Sequence, residues 1–178
     1  MTDPGRTAIL RAARKAFARE TYDAVTLRGV AADAGVSAAL IVKYFGGKEA
    51  LFERAADFTE AAQLLLGAPN ERLGEHAVRT LVQYRRDNDQ DLLVRVVFAA
   101  GKGDDRALIR EHFRDQVTRA FAARLTGPDA QLRAALITAQ LLGLGAALAI
   151  DRAGAIAAAD VAEVVGLYAP GLQALITP

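Results

Sequence analysis

The sequence predicts an all-α fold of about nine helices, three short ones ahead of a six-helix body. Three observations predict it. Apolar residues make up 52% of the 178 residues while aromatics supply only 6%, so alanine, the best helix former, fills much of the core quota. Apolar positions recur at helical spacing, and no segment alternates as a strand does. Clusters such as "TGPD" and "DRAGA" separate the periodic segments.

The elements follow in order. Asp3 or Thr2 caps a first helix with Pro4 in its first turn, and Ala8, Ile9, Ala12, Ala13, Ala16 and Phe17 form its apolar face to about Glu20. Thr26 caps a second short helix built on Leu27, Val30 and Ala31, and Gly35 ends it. Ser37 caps a third, to about Tyr44, with Leu40, Ile41 and Phe45 assigned to the core. "FGGK" breaks the chain, so the first domain is set at residues 1–47 and the second at 48–178. Lys48 opens a long fourth helix through Leu51, Phe52, Phe58 and Leu65 to Gly67-Ala68-Pro69. Further helices are expected at about 72–87, 90–101, 105–126, 129–152 and 158–176, the last kinked or split by Pro170.

Composition excludes several classes. Without cysteine there is no disulfide and no thiolate metal site, which fits a cytoplasmic location. His76 and His112 each lack a second ligand at metal spacing, so no metal or other cofactor is expected. There is no phosphate loop, nucleophile elbow or paired carboxylate, and an enzyme is not expected. The longest apolar segment, Ala134–Ile150, is interrupted by Thr138 and Gln140 and reads as a buried helix, with no membrane partner. The start "MTDPGRTAIL" does not read as a signal peptide. The net charge of +1 is unevenly divided: residues 1–50 balance at +3 and the remainder at −2. A basic first part points to a polyanion partner for that part only.

Two short helices joined by a glycine turn, behind a stabilising first helix, make a helix-turn-helix, whose second helix enters the DNA major groove. Its exposed positions would be Ser37, Ala38, Ala39, Lys43 and Tyr44. The two alanines permit close approach and methyl contact, while Lys43 and Tyr44 reach phosphates or base edges. Thr26 and Lys48 stand at helix starts where phosphate oxygens are met, and Arg28, beyond the first turn, reaches the groove edge. Capping alone accounts for Thr26 and Ser37, and the charged positions could also be ordinary solvated side chains.

The blocks "RTAILRAARKAF", "VTLRGVAADAGVS" and "KYFGGKEALF" carry a resemblance. From about Arg6 to Phe52 the chain resembles the N-terminal DNA-binding domain of TetR-family transcriptional repressors. The resemblance implies DNA contact by the residues above and by Arg6 at the first helix start. It also implies a C-terminal ligand-binding and dimerising body. The chain departs from the family pattern at Thr21-Tyr22, at Ala39 and at Ile41-Val42, where the family has glycine-aromatic, glycine and Leu-Tyr. The lost tyrosine is a phosphate contact in such repressors, which leaves Lys43 or Tyr44 to compensate.

In the body, residues 129–152 and 158–176 are apolar nearly all round. Such helices need cover on every face, and a four-helix bundle of two subunits supplies it. The expected partners are thus a double-stranded operator, a second copy of the chain and a small apolar effector. Candidate pocket walls are Phe58, Leu65, Leu81, Tyr84, Val97, Phe98, Phe113, Val117, Phe121 and Gln140. The function this adds up to is a repressor that binds a palindromic operator as a dimer and is released by its ligand. The rivals are a ligand-independent regulator controlled by a protein partner, and a metabolite- or lipid-binding module whose first helices mediate protein contact.

Overall fold

The computed structural model describes residues 3–88, 93, 96 and 104–178. Among them all regular structure is helical, and they divide into two compact units, one of residues 3–57 and 104–110 and the other of residues 58–88, 93, 96 and 111–178.

In the first unit, α1 (Pro4–Arg19) starts on Asp3, whose carboxylate accepts the Gly5 N–H at 2.8 Å. It buries Ile9, Ala12, Ala13 and Phe17. Helix α2 (Leu27–Ala34) starts on Thr26, whose hydroxyl accepts from Gly29 N–H at 3.1 Å. Gly35 ends it at φ 66°, with Gly35 N–H on Ala32 O and Val36 N–H on Ala31 O. That bond pair is a Schellman cap, which needs the left-handed conformation glycine adopts without a Cβ penalty. Ser37 caps α3 (Ala38–Phe45), and Gly46 at φ 88° closes it. Helix α4 (Lys48–Ala56) buries Leu51, Phe52, Ala55 and Ala56 and packs on α1. The sequence reading put this helix with the body, but its apolar face groups with α1–α3. Tyr22, Phe17 and Phe52 form an aromatic cluster with centroids 4.9–6.0 Å apart.

The expected long fourth helix is two helices. Asp57 is extended, and α5 (Thr59–Leu65) starts after Phe58. Two contacts stand at the break. Arg54 pairs with Asp57 at 2.8 Å, and the Phe58 N–H donates to Gln116 Oε1 at 2.6 Å instead of to a helical carbonyl.

The second unit continues through a 3₁₀ turn (Asn70–Arg72) into α6 (Leu73–Asn88). The helix expected at 90–101 lies outside the described residues. Helix α7 (Asp104–Phe113), whose residues to Arg110 group with the first unit, passes through a π-helical turn (Arg114–Thr118) into α8 (Arg119–Arg124), where one regular helix was expected. The π turn carries Gln116, which holds the Phe58 N–H. Helix α9 (Ala130–Ile150) precedes a four-residue helix α10 (Ala155–Ala158) and α11 (Val161–Ile176). Pro170 does not split α11. It lies on the exposed side of the helix, four residues from exposed Gly166, whose carbonyl it leaves without a helical partner.

Helix α9 has the length and composition of a membrane span. One face nevertheless packs Ala134, Ile137, Leu141, Leu144 and Leu148 into its own unit. Buried Arg133 sits on that face and donates to the carbonyls of Thr126, Pro128, Leu175 and Ile176, tying the α8–α9 loop to the end of α11.

Gly74 is where α11 lies closest on α6. A Cβ there would stand 2.9 Å from Gln173 N and 3.0 Å from its Cα, both backbone atoms. Gly74→Ala gains about 1 kcal/mol of helix propensity. Overpacking against fixed backbone costs about 1–3 kcal/mol. Chemical denaturation should therefore show Gly74→Ala less stable than wild type, against the propensity order.

Candidate nucleic-acid interface

The exposed side of α3 is short and plain. Ala39, Val42 and Lys43 are exposed and Ala38 half-buried, three or four residues apart on one face, while Ile41 and Phe45 are buried opposite. Val42 is 49% exposed, and among the described residues of the first unit it is the one large apolar side chain left open.

Around this face the candidate residues fall into two groups. Thr26 and Ser37 are exposed N-caps: their oxygens accept from Gly29 and Leu40 N–H, the latter at 3.3 Å, and their hydroxyl protons remain for another acceptor. The cations are held differently. Arg28 and Lys43 are exposed. Arg6 lies 5.5 Å from the centroid of the Phe45 ring, on the flank of α3. The Lys48 ammonium sits 4.4 Å from the Tyr22 ring centroid and donates to Asp23 O at 3.3 Å. Tyr22, which stands where a glycine-aromatic pair was expected, thus helps seat Lys48 at the start of α4.

Asp3 has a second role that the sequence did not reveal. Besides capping α1, its carboxylate accepts a hydrogen bond from the Tyr44 hydroxyl, joining the first turn of α1 to the end of α3. The two residues are 41 positions apart, and no local pattern connects them. Tyr44's hydrogen bond holds the Asp3 carboxyl below its ordinary value of 3.8, helped by the Gly5 N–H. The same bond raises Tyr44. With its proton on Asp3, the Tyr44 oxygen is left as an acceptor.

In the second unit, Phe58, Leu65, Leu81, Phe113, Val117 and Phe121 are buried, with the Phe58 and Phe113 rings edge to face at 5.4 Å. Tyr84 and Gln140 are partly exposed, and the Gln140 carbonyl accepts from Tyr168 OH at 2.7 Å. Val97 and Phe98 lie outside the described residues. A cleft of about 300 Å³ lies elsewhere, lined by Gly67, Pro69, Arg72, Glu75, His76 and Arg79. Its charges are largely satisfied: Glu75 pairs with Arg79 at 2.9 Å, and His76 Nε2 lies 2.8 Å from Leu64 O. Among the described residues no group of three or more His, Cys, Asp or Glu could hold a metal ion.

The model of the bacterial regulatory proteins of the tetR family matches residues 9–55, and that of the tetracyclin repressor-like C-terminal domain matches residues 71–176. The chain belongs to the TetR family. It is therefore a DNA-binding transcriptional regulator and not an enzyme. Among solved structures it is similar to a TetR-family regulator from Streptomyces coelicolor, with 28% identity over 98% of this chain and 96% of that one, TM-score 0.57. Salmonella enterica GusR has 19% identity, 98% and 96% coverage and TM-score 0.60. The fatty acid degradation regulator of Bacillus halodurans has 16% identity, 99% and 96% coverage and TM-score 0.61. The last two likenesses speak to the fold alone. No curated protein matches the sequence.

The Asp3–Tyr44 bond has a pH signature. A carboxyl held below its unfolded value stabilises the fold above that value and loses the effect as pH falls through the folded one. Asp3→Asn keeps an N-cap and removes the charge. Thermal melts should place Asp3→Asn below wild type near neutral pH, with the gap closing as pH drops below 3.8. Tyr44→Phe should show the same profile, and the double variant should add little to either.

Proposed function

We propose that this TetR-family protein is a cytoplasmic repressor that binds a palindromic operator as a homodimer and leaves it when a small apolar ligand enters the body. The observation that carries the reading is a pair of unmet surfaces. One is the exposed face of α3, flanked by Arg6, Arg28 and Lys48. The other is apolar: Leu132, Leu136 and Ile150 on α9 are 60%, 45% and 83% exposed, and Leu167 on α11 is 83% exposed. Small residues continue the second surface, with Ala139 and Gly143 on α9 and Gly166, Gly171 and Ala174 on α11, all exposed. Leucines bedded among glycines and alanines suit close helix-on-helix packing, and a second copy offers the same two helices.

The dimer converts a weak contact into a selective one. A single reader makes a mostly electrostatic contact; two held roughly 34–36 Å apart match successive turns of one duplex face. A ligand that prefers another separation by about 1–3 kcal/mol then shifts occupancy. Among the described residues, the candidate walls of the pocket we assign to it are Phe58, Leu65, Leu81, Tyr84, Phe113, Val117, Phe121 and Gln140. The buried members bring almost no charge, which suits an apolar ligand.

Binding measured across a salt series is the direct test. Lys48→Ala and Arg28→Ala should each weaken binding on every sequence and lower the slope of log affinity against log salt by about one. Unchanged slopes would remove both from the phosphate contacts. Leu136→Glu with Leu167→Glu should sediment as a monomer and lose operator binding while its helical content persists. A dimer that survives both glutamates would place the interface elsewhere.

A further inference from the structure

We infer that the α3 face of this protein reads thymine methyl groups, with Val42 as the residue that sets that preference. The inference rests on α3 being the helix that enters the groove, and it specifies what that helix recognises.

The argument begins with what α3 lacks. Its sequence, AALIVKYF, contains no Asn, Gln, Arg, Asp or Glu. Bidentate recognition of adenine needs an amide, and recognition of the cytosine amino group needs a carboxylate or another acceptor. Neither an amide nor a carboxylate is present on the helix. The hydrogen-bonding groups that remain are few. The Ser37 oxygen accepts from Leu40 N–H, which leaves its hydroxyl proton, and the half-buried Tyr44 hydroxyl donates to Asp3, which leaves its oxygen as an acceptor. The exposed face adds the Lys43 ammonium, a donor suited to guanine O6 and N7 or to phosphate.

What the face does offer is methyl groups. Ala39 and Val42 are one helical turn apart and both exposed, and half-buried Ala38 adjoins them. An apolar patch gains nothing from a base edge that only donates or accepts hydrogen bonds. Thymine C5 carries the one apolar group in the major groove, and alkyl side chains are its natural contact. Val42 therefore supplies a base contact in place of the phosphate contact that a tyrosine there would make. Its isopropyl group buries against a methyl that the other bases lack, and Lys43 beside it favours a neighbouring guanine or a phosphate.

The experiment uses duplexes that the full-length protein enriches from a random-sequence pool. Each thymine of the enriched site is replaced in turn by deoxyuridine, which pairs identically and lacks only the 5-methyl group. Wild type should lose about four-fold in affinity per contacted methyl, at equivalent positions in the two half-sites. Val42→Ala should bind the thymine duplex more weakly and be indifferent to uracil at the position Val42 touches. Val42 is exposed, so thermal melts of the variant should match wild type. Sequence-selective binding that ignores every uracil, or a Val42→Ala protein as sensitive to uracil as wild type, would overturn the inference and leave the DNA-reading assignment standing. A pool from which no sequence is enriched would overturn both.

Discussion

The reader depends on one backbone conformation. Gly35 sits at φ 66°, and two N–H groups beyond the end of α2 turn back onto the Ala31 and Ala32 carbonyls. This lets the chain leave α2 and begin α3 within three residues, with Ser37 already in place as the next cap. An L-residue with a side chain would meet a penalty of roughly 1–2 kcal/mol in that conformation. Nothing lies within 4 Å of a Cβ built there, so the requirement is for backbone freedom and not for space. Because the turn is fixed, Ile41 and Phe45 face the core and Ala39, Val42 and Lys43 face out.

In the second unit the same problem, unsatisfied helix ends, is solved by long side chains from other helices. Arg124 donates to Leu66 O at 3.0 Å and Ala68 O at 2.8 Å, closing the end of α5. Gln173 accepts from Gly74 N–H and donates to Asn70 O, both at 2.8 Å, at the start of α6. Arg133 gathers carbonyls from before α9 and from the last turn of α11. Each bond spends a polar side chain to cover groups that would otherwise be buried without partners, at a penalty of about 1–3 kcal/mol each. These side chains draw the polar contacts toward the loop ends. The outward faces of α9 and α11 keep their leucines and glycines.

The sequence was most legible where a local rule decides. The caps at Asp3, Thr26 and Ser37, the glycine stop at Gly35 and the apolar face of α1 all follow from residues within a turn of one another. It misled where a distant group decides. Continuous apolar spacing through Phe52, Phe58 and Leu65 reads as one helix; Gln116, nearly sixty residues on, takes the Phe58 N–H and supports the break. Pro170 reads as an interruption, yet an exposed proline in a helix packed on its other side is tolerated. At the interface the cations and the small residues were visible from the motif. The Asp3–Tyr44 bond and the seating of Lys48 against Tyr22 were not, since each depends on how α1, α3 and α4 meet. Val42 was visible as a lost tyrosine; its exposure gives it a positive role.

An apolar reading face has a consequence for the whole assembly. Methyl contacts are weak and non-directional, so one reader of this kind discriminates between sequences only modestly. The phosphate contacts proposed for Arg6, Arg28 and Lys48 would add affinity without information and fall away with salt. Selectivity must then come from repetition, since two identical readers at fixed spacing multiply a small preference into a useful one. A face with poor hydrogen-bonding capacity and the exposed apolar surface of the body, where we propose the dimer forms, would thus be two parts of one solution. A chain that read its site through paired amides and guanidinium groups would depend less on its partner than this one does.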